Sequence, residues 1–246
     1  LALRAGADIA LISHHIEAQR GAIAQVRAAV ASGALPDGAI TQATERVLLL
    51  KAQLGAWDAL PATVATGSVS DEAHQRLSEA AYARSTTLVR DDAHLLPLRL
   101  PAEARLLIIA QPPASVTRAT DTAYQHDDLV RAVRAYHAAA RGVCLAPDAS
   151  ADDVAALLDA AQEADLLIVV TINAHLNQRQ ADLMRRLVVT GRSTVGIIAG
   201  DPYDLAAIPT LRTALATYEY TRPALSAAVR ALFGVLTPRG RLPVSL

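Results

Sequence analysis

Leu166-Leu167-Ile168-Val169-Val170-Thr171 decides the fold. Six consecutive apolar or β-branched residues cannot alternate between a wet and a dry face, so the run reads as a strand buried on both sides. A helical stretch over residues 178–190 follows, and then a second apolar run over 195–200. The same alternation extends upstream. Apolar runs at 105–110 and 142–146 are separated by helical stretches at about 127–139 and Ala151–Glu163. Strand, helix, strand, helix implies right-handed crossovers and a mostly parallel sheet with helices on both faces. A strand at 214–220, a helix at about 223–233 and an apolar end at 242–246 close the pattern.

Upstream of this regular region, a helix is expected over 70–84, with Ser70 or Asp71 near its N-cap. A short β-branched run at 86–90 follows it. Residues 56–69 read as a linker, because Pro61, Gly67 and small residues break any period. Trp57 in that stretch is expected to pack on a flanking helix rather than to stack on a sugar.

The first 55 residues read differently. Residues 8–13 form an apolar, strand-like run. Ile16, Ile23, Val26 and Val30 then fall at helical spacing, with Gly33 as a stop. Asp37 is the expected N-cap of a second helix carrying Ile40, Val47, Leu48 and Leu54, ended by Gly55. One strand and two helices cannot bury both faces of that strand. The expectation is that the chain opens inside a larger domain, and that the orphan strand promotes homo-oligomers.

Composition narrows the function classes. The chain has 246 residues, is 52% hydrophobic and has a formal net charge of −1. Its mean hydropathy is +0.25, enough for a sizeable core. Only 3% of residues are aromatic, and the charges are mixed. Neither a basic stripe nor a stacking platform for nucleic acid is present. No apolar run approaches the ~20 residues of a membrane span. The single cysteine, Cys144, excludes an internal disulfide and reads as a small core residue.

The candidate chemistry clusters at strand ends. His14 and His15 follow the first strand, and one of them could face a cavity at the carboxyl end of a barrel. Asp201 and Asp204 follow the run at 195–200, where open α/β folds bind ligands. Paired carboxylates suit glycoside hydrolysis. The plainer reading is a turn at Asp201-Pro202 and a cap at Asp204. Asn173 and His175 lie in a loop at the same edge, and His126, Asp127 and Asp128 suit a helix start. The candidate substrate contacts are therefore His14, His15, Asp201 and Asp204. No metal site, cofactor loop or nucleophile elbow is present, so no cofactor is expected.

Several segments together resemble glycoside hydrolase family 3. They are Ala5-Gly6-Ala7-Asp8-Ile9-Ala10-Leu11, Ala29-Val30-Ala31-Ser32-Gly33, and Ala43-Thr44-Glu45-Arg46-Val47-Leu48-Leu49-Leu50-Lys51. Ser85-Thr86-Thr87-Leu88-Val89-Arg90 and Leu95-Leu96-Pro97-Leu98 follow in order. Leu232-Phe233-Gly234 and Pro238-Arg239-Gly240-Arg241-Leu242-Pro243-Val244 close the series. Gln180, Asp182-Leu183 and Asp201-Pro202-Tyr203-Asp204-Leu205 look like the β-N-acetylglucosaminidase branch.

The resemblance implies that residues 1–55 are the last strand and helices of a (β/α)8 barrel. Residues 56–84 would be a linker and connecting helix, and 85–246 an α/β sandwich domain. In the family the nucleophile is an Asp at the seventh barrel strand, and in this branch the acid/base is a His-Asp pair on an earlier barrel loop. No position here matches either, so the resemblance implies a retaining glycosidase whose catalytic groups lie elsewhere. The carbohydrate would reach the chain through the barrel. The alternative is a non-catalytic module for carbohydrate binding or protein association, and the compartment, cytoplasmic or secreted, stays open.

Overall fold

A computed structural model describes residues 1–13, 15–55, 71–112 and 126–246. The expected linker at 56–69, with Trp57, and His14 and Ser70 lie outside the described residues. The chain divides into two compact units, Leu1–Val69 and Ser70–Leu246.

The first unit contains a 3-10 turn at Leu3–Ala5 and two helices, α1 (Ile16–Ala31) and α2 (Asp37–Gln53). Gly6, Gly33 and Gly55 take left-handed φ values of 97°, 72° and 65° at the three ends, where a Cβ would be strained. Asp37 is the first residue of α2 rather than its N-cap, and Pro36 takes the cap position.

The expected strand at 8–13 does not form a ladder. A strand is held by its neighbours, and no other strand of this unit lies among the described residues. Side chains tie the segment down instead. Arg46 grips Asp8 through Nε to Oδ2 at 2.8 Å and through its terminal nitrogen to Oδ1 at 2.6 Å. That hydrogen bonding holds the Asp8 carboxyl below its ordinary pKa. Gln19 Nε2 donates to the Ile12 carbonyl at 2.9 Å. Among the described residues of this unit Leu35 and Ala43 are the buried hydrophobics, while Ile9, Leu11, Ile23 and Leu49 remain exposed.

The second unit opens with α3 (Glu72–Ser85), whose N-cap Asp71 accepts the His74 backbone N–H at 2.9 Å. The elements that follow are β1 (Thr87–Asp91), β2 (Leu106–Ala110), α4 (His126–Arg134), β3 (Arg141–Cys144), α5 (Ala151–Glu163) and β4 (Leu166–Thr171). After them come α6 (Gln178–Val188), β5 (Ser193–Ile198), α7 (Asp204–Ala207), β6 (Thr213–Ala216) and α8 (Arg222–Leu232). The sheet order is β1-β6-β5-β4-β2-β3. β2 to β6 run parallel and β1 pairs antiparallel with β6. This is the mostly parallel α/β sheet expected from the apolar runs.

Alternation along β4 builds two cores. Leu166, Ile168 and Val170 pack with α4 and α8 through Leu129, Val133, Leu225 and Leu232. Leu167 and Val169 pack on the other face with α5 and α6 through Leu157, Met184 and Leu187. Each fully buried aliphatic chain contributes about 1.5–3 kcal/mol relative to exposure.

The apolar end at 242–246 joins no strand; the terminal segment is tied to the sheet by the Gly240 N–H donating to the Thr86 carbonyl at 3.0 Å. One expectation needs correction: Cys144 is exposed rather than buried, because β3 is the edge strand of the sheet.

The chain path also creates a switch point. β2 leads to α4 on one face and outward to β3. The chain then returns through α5, on the opposite face, across β2 to β4. The neighbours β2 and β4 therefore send their connections to opposite faces, which opens a crevice at their carboxyl ends.

Candidate functional site

The residues after β4 and β5 meet at the carboxyl edge of the sheet. Asn173 sits in the left-handed region, at φ 56°, and its Oδ1 accepts the Asp201 backbone N–H at 3.0 Å. Gly200 makes that approach possible: a Cβ there would lie 2.5 Å from Asn173 Oδ1 and 3.0 Å from its backbone nitrogen. The loops after the two strands are thus locked together.

His175 and Asp204 form the centre of the cluster. Asp204 Oδ1 accepts the His175 backbone N–H at 2.9 Å and contacts ring Nδ1 at 2.8 Å. An ionised carboxylate only accepts, so the proton of a neutral ring belongs on Nδ1 and Nε2 is left as a base. Nε2 lies 3.8 Å from Asp201 Oδ2. The Tyr203 ring stands edge-on to the imidazole, with centroids 5.9 Å apart.

Exposure separates the roles. Asp204 is fully buried, and its Oδ2 has no hydrogen-bond partner among the described residues. Asp201 and Tyr203 are exposed. A retaining pair of carboxylates must flank one bond from ~5 Å apart with both groups reaching it. Asp204 has no surface with which to do so, and its geometry is that of a residue orienting a histidine. Asp201 and His175 are the members a ligand could touch.

Of the residues singled out in the sequence, the structure joins Asp201, Asp204, His175 and Asn173. His15 lies in the other unit, exposed at the N-cap position of α1, and makes no side-chain cap bond there. His137 is buried with Nε2 2.7 Å from the Ala104 carbonyl, and His74 pairs with Asp71. Among the described residues, no three His, Cys, Asp or Glu side chains come together to hold a metal ion. No helix among them is long and apolar enough to cross a membrane.

The chain aligns over 98% of its length with a β-N-acetylglucosaminidase/β-glucosidase of Cellulomonas fimi, at 26% identity and over 44% of that protein. A fungal multi-domain GH3 β-N-acetylglucosaminidase superposes on the whole chain with a TM-score of 0.77 and 30% identity. The chain resembles the C-terminal part of glycoside hydrolase family 3. A family 3 β-N-acetylglucosaminidase from Paenibacillus sp. str. FPU-7 shares the fold, with a TM-score of 0.77 at 24% identity over 98% of the chain. No family model matches the sequence. The chain spans less than half the length of these family 3 relatives: 44% of the Cellulomonas protein, 46% of the Paenibacillus one and 28% of the fungal one.

Proposed function

We propose that this chain is the carboxyl-terminal portion of a retaining glycosidase acting on terminal β-linked N-acetylglucosamine, and that it supports a barrel carrying the catalytic groups. The observation that carries this reading is the match of the whole chain to the C-terminal part of β-N-acetylglucosaminidases. Residues 1–55 would complete the barrel, and 85–246 would form the supporting α/β domain.

The first unit supports the reading physically. Ile9, Leu11, Ile23 and Leu49 are between 62% and 92% exposed. A groove of about 340 Å³ is lined by Ile23 together with Ala10, Ile12, Ala22 and Val26. Covering each such side chain would contribute about 1.5–3 kcal/mol. The remaining strands of a barrel are the matching cover. Left uncovered, the same face would drive homo-oligomers.

The test joins the chain to the barrel portion of the Cellulomonas relative. The fused protein is expected to hydrolyse a chromogenic β-N-acetylglucosaminide and to run as a monomer in light scattering. A soluble, folded fusion that shows no turnover would overturn the reading.

A further inference from the structure

Polar groups beside the switch-point crevice lack partners among the described residues. Gln111 follows β2 directly and is 5% exposed. Its Oε1 is buried with no hydrogen-bond partner among the described residues. Thr171 ends the neighbouring strand, one step beyond the registered pair Ala110–Val170. Strand alternation puts Gln111 and Thr171 on the face covered by α5 and α6. Gln180, on the first turn of α6, is fully buried; its Oε1 accepts the Ile172 N–H at 3.1 Å. Thr171 Oγ1 and Gln180 Nε2 also lack partners among the described residues. Leaving one such buried group unmade costs about 1–3 kcal/mol. Of the three, Gln111 lines an open cleft, so its oxygen is the one a ligand can satisfy.

A cleft of about 270 Å³ opens over Gln111, between the start of α5 and the length of α6. Arg179, Asp182 and Arg186 line it along α6, and Val154 along α5. Arg179 and Arg186 are exposed, and neither makes an ion pair or side-chain hydrogen bond among the described residues. Asp182 is already engaged, by Arg185 at 2.8 Å and by Gln178 Nε2 at 3.0 Å. Both helices start at this edge, so their positive ends add to the Arg179 guanidinium there.

We propose that this cleft binds a small oxyanion on a hydroxylated skeleton, a sugar phosphate or a sugar acid. The two arginines take the anionic oxygens, which match their planar forks. The buried Gln111 amide takes a ligand hydroxyl, for which it offers both a donor and an acceptor. The volume admits one sugar ring with its anionic group. The site stands on this chain's own residues and does not depend on the glycosidase reading.

Calorimetric titration of the full 246-residue chain tests it, with glucose 6-phosphate, glucuronate, inorganic phosphate and glucose as separate probes. At least one anionic sugar is expected to bind saturably, at least tenfold tighter than glucose or inorganic phosphate. Whether the phosphate or the carboxylate wins identifies the source of the anion. Arg179→Gln with Arg186→Gln should weaken that binding at least tenfold while leaving the ligand-free melting temperature unchanged, since both side chains are exposed. Asp182→Asn, which removes a negative charge from the rim, should tighten it. Arg222→Gln with Arg230→Gln, on α8, should leave it unchanged. No saturable binding by either anionic sugar, equal binding of glucose, or full binding by the double α6 variant would each overturn the proposal.

Discussion

A single oxygen of Asp204 holds His175 at two points, its backbone N–H at 2.9 Å and its ring Nδ1 at 2.8 Å. The two residues are 29 positions apart, so the contact fastens the loop after β4 to the start of α7. Asp204→Ala would leave the His175 donors without their acceptor in a largely dry site. The expected loss is about 2–3 kcal/mol, read as a lower urea midpoint at unchanged slope. Asp204→Asn keeps an acceptor oxygen and should lose less. An Asp204→Ala protein as stable as the parent would show that the contact contributes nothing.

Gly240 is required for space. A Cβ there would lie 2.1 Å from the Ser85 carbonyl oxygen and 2.2 Å from Thr87 Oγ1. Backbone cannot yield as a flexible side-chain tip can, so Gly240→Ala must push the terminal segment off β1. The expected destabilisation is about 1–3 kcal/mol by denaturant unfolding. Gly38→Ala is the control, since nothing lies within 4 Å of its Cβ position. It should be neutral or slightly stabilising on helix propensity.

His126 sets a pH dependence. Its ring packs over Gly142, where an added Cβ would meet Nε2 at 2.7 Å. Burial lowers its pKa below the ordinary histidine value, and the Asp127 charge opposes this only in part. The unfolded chain therefore takes up the proton first as pH falls. Stability is intact above the ordinary histidine pKa and declines as pH drops from there towards the lowered folded value. His126→Gln should flatten that part of the stability–pH curve. A slope that survives the substitution would assign it to other groups.

Cys144 should react slowly despite its place on the edge strand. Partial desolvation of the thiol raises its pKa, and the nearby Asp127 carboxylate raises it further. Since the thiolate is the nucleophile, alkylation at neutral pH should be slower than for a free thiol. The rate should climb through a midpoint above the ordinary cysteine value. Asp127→Asn should move that midpoint down.

Local patterns carried the fold well where burial was complete. The run at Leu166–Thr171 and the helix at Ala151–Glu163 stand as read, because a two-sided core and a Ser150 capping box leave local signals. The segment at 8–13 has an apolar centre, Ile9-Ala10-Leu11-Ile12, yet forms no strand. Strand state depends on a neighbour, and a neighbour is not a local property. The polar edge was legible only in part. Asp201, Asp204 and His175 could be placed at strand ends, but their union depends on β4 and β5 being adjacent. Gln111 gave less signal still. It becomes notable only once the order of β2, β3 and β4 shows that the chain reverses direction beside it.

The proposed role, support of a glycosidase barrel without catalytic groups of its own, has a direct test. The most direct measurement is hydrolysis of a chromogenic β-N-acetylglucosaminide by the 246-residue chain alone near neutral pH. No turnover above the uncatalysed rate is expected. Turnover by the isolated chain that disappears with Asp201→Ala would contradict the proposed role and place a catalytic centre at the carboxyl edge of β4 and β5.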